Sequence, residues 1–256
     1  MGILDAFNLE GKVALVTGSS RGLGQGIAVG LAEAGADVAG LDILEDQSET
    51  AELVKAQGRE YMPITFNLMT ASVDELNEMV GKVVEKMGGL DILFNNAGII
   101  SRAPLLEFSE KDWDDVLQIN LKAMFFLSQA AARVFEKQQS GKIINTASML
   151  SYQGGVFVPS YTASKSGVAG LTRALANELA PMNVCVNAIA PGYMATDNTT
   201  ALREDPVRNE AILARIPAGR WGTPDDLKGM AVFLASAASD YLNGSIINVD
   251  GGWLSR

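Results

Sequence analysis

The chain has 256 residues, is 48% hydrophobic and carries a formal net charge of -10, which suits a single domain over 1–256 and argues against a nucleic-acid partner, since a phosphate backbone calls for a basic face. It contains no histidine and one cysteine, Cys185, so Ser-His-Asp catalysis, the common zinc sites and an intrachain disulfide are excluded; no metal is expected, and proton transfer must use another side chain. Residues 1–12 lack a basic start followed by an apolar run, and no uncharged apolar stretch reaches membrane-spanning length, so the expectation is a cytoplasmic protein with no membrane partner.

Lys12–Thr17 predicts a first strand, and Gly22–Ala34 a helix closed by Gly35. Between them runs Thr17-Gly18-Ser19-Ser20-Arg21-Gly22-Leu23-Gly24, a strand–glycine loop–helix arrangement. Such glycines let the backbone approach a diphosphate closely, and the helix start offers it free N–H groups and a positive dipole end. Asp37–Asp42 predicts the second strand. The Asp42 carboxylate at its end can accept hydrogen bonds from both adenosine ribose hydroxyls and would repel a 2′-phosphate. Arg21 works the other way, because a guanidinium attracts a 2′-phosphate. On balance NAD is expected, with NADP second.

Gln47–Gln57 predicts a helix, Tyr61–Phe66 the third strand, Ser72–Met87 a helix ended by Gly88-Gly89, and Asp91–Asn95 the fourth strand. Ser109 opens a helix through Gln118 with Asp112 completing a capping box, and a further helix runs from Leu121 to about Lys137. Lys142–Thr146 is the fifth strand, Tyr161–Leu179 a long helix, Val184–Ile189 the sixth strand, Pro224–Leu234 a helix and Ser245–Val249 the last strand. The strand runs are mostly apolar and do not strictly alternate, as in a parallel sheet covered on both faces. The expected fold is α/β: a Rossmann-type doubly wound sheet of about seven parallel strands. Ligands bind such sheets beyond the carboxyl ends of the strands, where the order reverses.

Three features fall just there. Asn95-Asn96-Ala97-Gly98 follows strand four, Ser148 follows strand five, and Tyr161-Thr-Ala-Ser-Lys165 opens the next helix. Tyr161 and Lys165 are four residues apart and share a helix face. A free tyrosine titrates near pH 10, and a nearby ammonium is expected to lower that value toward useful acid/base chemistry. Ser148 can hold the reacting oxygen in place.

On TGSSRGLG, NNAG, Asn120, Ser148, YTASK, Pro191-Gly192 and the terminal VDGG, the sequence resembles the short-chain dehydrogenases/reductases over nearly its whole length. That resemblance implies that Tyr161 is the general acid/base, that Lys165 lowers its pKa and binds the nicotinamide ribose, and that Ser148 orients the substrate. Asn120 would hold a water linking Lys165 to solvent. The implied cofactor contacts are Gly18, Ser20, Arg21, Gly22, Leu23 and Gly24 at the loop, Asp42, then Asn67 and Leu68 beside the adenine. Asn95, Ala97 and Gly98 follow, then Tyr161 and Lys165, then Pro191, Gly192, Met194 and Thr196 on the nicotinamide side. Asn67 stands where the family usually has Asp. A homotetramer is implied, and so is a substrate lid at about 193–217, here polar and charged.

The runs FSEKDWDDV, SYTASKSGV, NAIAPGYMAT, RIPAGRWG and FLASAASDY resemble a branch acting on deoxy-keto sugar acids in uronate catabolism. A sugar-acid carboxylate needs a cation or several donors, for which Arg102 and then Gln153 are candidates; Met149 and Met194 would line the walls. The rivals are another sugar or polyol short-chain dehydrogenase, a 3-oxoacyl-carrier-protein reductase, which would want NADPH and a basic face, a nucleotide-sugar epimerase, which usually carries a different glycine spacing and a longer C-terminal part, and a non-catalytic dinucleotide sensor, which would not need Asn120, Ser148, Tyr161 and Lys165 together.

Overall fold

The computed structural model describes residues 2–256. The apolar runs form one sheet of seven strands in the order β3-β2-β1-β4-β5-β6-β7. They are β1 (Val13–Thr17), β2 (Asp37–Asp42), β3 (Tyr61–Thr65), β4 (Ile92–Asn95), β5 (Gly141–Thr146), β6 (Val184–Pro191) and β7 (Ile246–Val249). Every neighbouring pair is parallel. β1, β4 and β6 are buried at every position, which explains why they read as continuous apolar runs.

The helices cover both faces. α1 (Gly22–Glu33), α2 (Ser48–Ala56) and α9 (Asp225–Ala235) flank one side, where Ile27, Leu31, Leu227 and Leu234 pack against Val16, Phe94 and Ile144. α3 (Val73–Met87), α5 (Met124–Gln138) and α6 (Pro159–Leu179) cover the other, with Val83, Leu127 and Phe135 against Leu15, Leu93 and Ile143. Each such side chain contributes about 1.5–3 kcal/mol on burial, so the two layers fix the sheet and hence the loops at its carboxyl edge. The strand order reverses between β1 and β4, which brings Gly18 and Asn96 side by side.

Two expectations are corrected. The helices predicted over 109–118 and from 121 onward are one rod: α4 (Glu110–Leu117) passes through a π-helical turn, Gln118–Ala123, straight into α5. No glycine or proline occurs between 109 and 138, so nothing stops the helix. A single widened turn instead rotates its register at Asn120, a device common at functional sites. The segment expected as a polar, charged lid over 193–217 also buries apolar side chains. It folds as a 3-10 turn (Asp197–Thr199), α7 (Thr200–Glu204) and α8 (Pro206–Arg215), and Ile212 and Ile216 bury against Met149 and Trp253. Among the described residues no helix is long and apolar enough to cross a membrane.

Candidate active site

Ser148 lies two residues beyond the end of β5 and caps a 3-10 turn, Met149–Ser151, its Oγ accepting from the Leu150 N–H at 3.2 Å. Ser151 Oγ donates to the Lys165 carbonyl at 2.6 Å, which clamps that turn onto α6. Pro159 starts α6 with its φ already helical, so Tyr161 lies in the first turn and Lys165 one turn on. Lys165 is 4% exposed; its Nζ lies 5.6 Å from the Tyr161 ring centroid and donates to the Thr146 carbonyl at 2.5 Å.

Burial pushes the Tyr161 phenol above its ordinary value; a hydrogen bond with Ser148 and the positive charge of Arg102 oppose that rise. Burial pushes Lys165 down, to about 8. In the protein alone the net shift of the phenol is therefore upward. The loss of solvation of a phenolate outweighs the nearby favourable groups, Ser148 and Arg102 among them.

Asn120 is buried in the π turn, with both ends of its amide engaged. Oδ1 accepts from the Ile99 N–H at 2.8 Å, and Nδ2 donates to the Ile99 carbonyl at 2.9 Å and to Ser164 Oγ at 3.2 Å. The side chain thus pins the strand-four loop to α6.

At the glycine loop, Gly18 and Gly22 adopt φ of +68° and +58°. A Cβ on Gly24 would stand 1.9 Å from the Gly18 carbonyl and 2.6 Å from Asn96 Nδ2, so the turn closes only around glycine. Helix α1 begins without a side-chain cap, and Ser20 Oγ is buried with no partner. Uncapped N–H groups beside an orphaned hydroxyl fit the diphosphate of a dinucleotide. Gly24→Ala is accordingly expected to weaken NADH binding by more than tenfold at unchanged far-UV circular dichroism. Wild-type affinity in a fluorescence titration would remove the loop from the site.

The remaining expected residues separate into two groups. Asp42 stands at the cleft, accepting from the Ser20 N–H at 3.0 Å and the Leu44 N–H at 3.1 Å. Arg21 reaches across to the lid, where its Nη1 lies 3.0 Å from Asp197. Thr196 approaches Gly22, and Gly192 follows β6 directly. Ala97 donates its N–H to Thr17 Oγ1, and Gly98 faces Asn120 and the Lys165 ammonium. Arg102 donates to the Asn198 carbonyl at 3.4 Å, and Gln153 accepts from Arg215 at 3.3 Å. The structure does not bring every side chain to the cleft. Asn95 points into the core, donating to Ser128 Oγ and Asn145 Oδ1. Leu68 and Met194 are core residues, Met149 packs beneath the lid, and Asn67 turns its Oδ1 back to the Met69 N–H.

Asn96, part of the NNAG run but not among the expected contacts, has a structural task at the loop. Its Nδ2 donates to the carbonyls of Thr17 and Gly18, at 3.0 and 3.3 Å, and so ties the strand-four loop to the glycine loop. Strand alternation is the signal that separates it from Asn95.

The comparisons agree with this geometry. A family model described as Enoyl-(Acyl carrier protein) reductase matches residues 18–254. The chain is a member of the short-chain dehydrogenase/reductase family. A 2-dehydro-3-deoxy-D-gluconate 5-dehydrogenase of Dickeya dadantii is 60% identical over 255 residues, covering 99% of this chain and 100% of that protein. One from Bacillus subtilis is 53% identical, covering 100% of each. The crystal structure of a gluconate 5-dehydrogenase from Burkholderia cenocepacia in complex with NADP and tartrate superposes with a TM-score of 0.95 at 38% identity, again covering 100% of each chain. As a short-chain dehydrogenase/reductase this chain is an NAD(P)-dependent oxidoreductase acting on CH–OH groups, and Tyr161, Lys165 and Ser148 lie together in the structure.

Proposed function

We propose that the protein interconverts a ketone and a secondary alcohol on a deoxy-keto sugar acid, as a 2-dehydro-3-deoxy-D-gluconate 5-dehydrogenase in uronate catabolism. The observation that carries the substrate class is Arg102. Its positive charge is felt at the Tyr161 phenol, its guanidinium donates to the Asn198 carbonyl, and no carboxylate of this chain forms an ion pair with it among the described residues. A sugar acid supplies that carboxylate. The full-length identity to proteins of that name supports the same reading.

In reduction, Tyr161 gives its proton to the carbonyl oxygen while Ser148 holds that oxygen. The dihydronicotinamide ring, when bound, supplies the hydride. Lys165 stays buried beside the phenol and keeps positive charge there below about pH 8. Gln153 and Arg215 hold the lid side, and Asn120 keeps the strand-four loop against α6.

NADH is the cofactor we assign, because Asp42 places a carboxylate beside the loop and Arg21 is occupied by Asp197. The NADP bound to the Burkholderia relative favours the second reading, NADPH. A homotetramer belongs to the same proposal. It is supported by an open cleft of about 680 Å³ where Leu117, Leu121, Phe125, Phe126 and Leu171 lie among Asp114, Asp115, Gln118 and Lys122.

The test is a panel of NADH and NADPH against deoxy-keto sugar acids and an acetoacetyl thioester. NADH-dependent turnover of the sugar acid is expected; turnover of the thioester alone overturns the substrate reading. Arg102→Leu should raise the sugar-acid KM at least tenfold, the order lost with a charge-assisted hydrogen bond. An unchanged KM would place the carboxylate elsewhere.

A further inference from the structure

Behind the glycine loop, on the side away from the cleft, lies a closed polar cluster. Ser19, Gln47, Thr50 and Tyr61 are at most 5% exposed. Tyr61 stands on β3, two strands from the loop, and reaches it by passing across β2 at Gly40. A Cβ on Gly40 would fall 1.8 Å from the Tyr61 Oη, so only glycine lets the phenol through.

Proton accounting fixes the direction of these bonds. Gln47 Nε2 donates to the Ile64 carbonyl at 3.1 Å, which turns Gln47 Oε1 toward Tyr61. Tyr61 spends its one proton on that Oε1, at 2.7 Å. The contact between Ser19 Oγ and Tyr61 Oη, at 3.1 Å, must then have Ser19 as donor. Burial, eased by the Ser19 hydrogen bond and reinforced by Asp42, pushes Tyr61 up to about 12, so it remains a neutral donor.

Thr50 on α2 completes the arrangement. Its hydroxyl lies 2.9 Å from the Ser19 carbonyl and 3.2 Å from the Ser20 carbonyl. Gln25 Nε2 donates both to that hydroxyl, at 3.1 Å, and to the Ser20 carbonyl, at 3.3 Å. Both loop carbonyls are thereby drawn backward. A peptide whose C=O points away from the cleft turns its oxygen dipole from a bound anion, while the buried Ser20 Oγ keeps no partner within the protein.

We propose that Thr50 and the Tyr61–Gln47 pair are positioning residues for the cofactor: Thr50 holds the Ser19 and Ser20 carbonyls away from the diphosphate, the Tyr61–Gln47 pair anchors the Ser19 hydroxyl behind the loop, and Ser20 is left free to bind. None of them touches the reacting atoms. The inference rests on the dinucleotide part of the proposed function and not on the sugar acid.

Thr50→Val keeps the shape and removes the hydroxyl, whereas Thr50→Ser keeps it. The measurement is NADH affinity by fluorescence titration without any sugar acid, followed by the KM for NADH and kcat. Thr50→Val should weaken NADH binding roughly tenfold, the scale set by losing one buried donor to two carbonyls. The same factor should appear in the KM for NADH, kcat at saturating NADH should fall less than twofold, and Thr50→Ser should recover most of the affinity. Tyr61→Phe, whose ring still fills the space, is the second variant and should weaken NADH binding in the same direction. A wild-type protein that binds neither NADH nor NADPH overturns the dinucleotide reading itself. A wild type that binds, with Thr50→Val and Tyr61→Phe binding equally well, overturns the brace alone. So does Thr50→Val lowering kcat and affinity for sugar acid and NADH alike, which is the mark of general loosening.

Discussion

Replacing Tyr161 with Phe is expected to lower kcat about 10³-fold, in the range that a lost general acid/base produces and equal to about 4 kcal/mol of barrier. Phenylalanine retains the ring and its position 5.6 Å from Lys165 Nζ. It removes only the hydroxyl that hydrogen-bonds Ser148 and feels the charge of Arg102. No other group can take over the proton. The chain has no histidine, Arg102 cannot deprotonate, and the Lys165 ammonium is directed at the Thr146 carbonyl. NADH affinity should stay within about threefold, because the glycine loop that grips the cofactor is untouched. Steady-state kinetics beside a fluorescence titration reads both quantities. A variant within tenfold of wild-type kcat would take the proton from Tyr161 and leave the mechanism without a carrier.

The neighbours of Tyr161 set which parts of this site a sequence can reveal. Strands β1 and β4 were legible because both faces are buried, and the glycine loop because its spacing sits between a strand and a helix. Element ends shifted by a residue or two where caps decide them: Ser72 and Ser109 cap their helices from outside, each accepting from the N–H three residues on. The π turn at Gln118–Ala123 left no trace, since no breaker marks it and its register change is a matter of tertiary fit. The lid helices were hidden by their charges, although Leu202, Ile212 and Ile216 turn inward. Asn95 and Asn96 are chemically identical neighbours, and only the orientation of the strand end sends one to the core and the other to the glycine loop. The direction of the Tyr161 shift was misread for the same reason. A charge four residues away is visible in sequence, whereas the desolvation that outweighs it is created by the fold.

That desolvation leads to an opposite pair of outcomes at Lys165, which Lys165→Met brings out. The buried ammonium titrates at about 8 in the folded protein, against an ordinary value near 10.4 when unfolded. The folded state thus disfavours the charged form, and the unfolded chain binds more protons between those two values. Stability must rise with pH across that window, and the penalty is fully present below about pH 8. Methionine fills similar volume without charge. The variant should therefore be the more stable protein at pH 7, by an amount on the order of 1 kcal/mol once the lost hydrogen bond to Thr146 is set against about 3 kcal/mol of relieved desolvation. That advantage should shrink as pH rises from 8 toward 10, which denaturant melts at several pH values would trace. Activity should move the other way. With no ammonium beside the Tyr161 ring the phenolate loses a favourable neighbour, so alcohol oxidation should slow at least 10²-fold and its rising limb should shift to higher pH. A Lys165→Met protein that is both less stable at pH 7 and unshifted in its pH profile would mean that the lysine serves packing. A more stable, slower enzyme would mean that the fold tolerates a strained charge because the chemistry at Tyr161 depends on it.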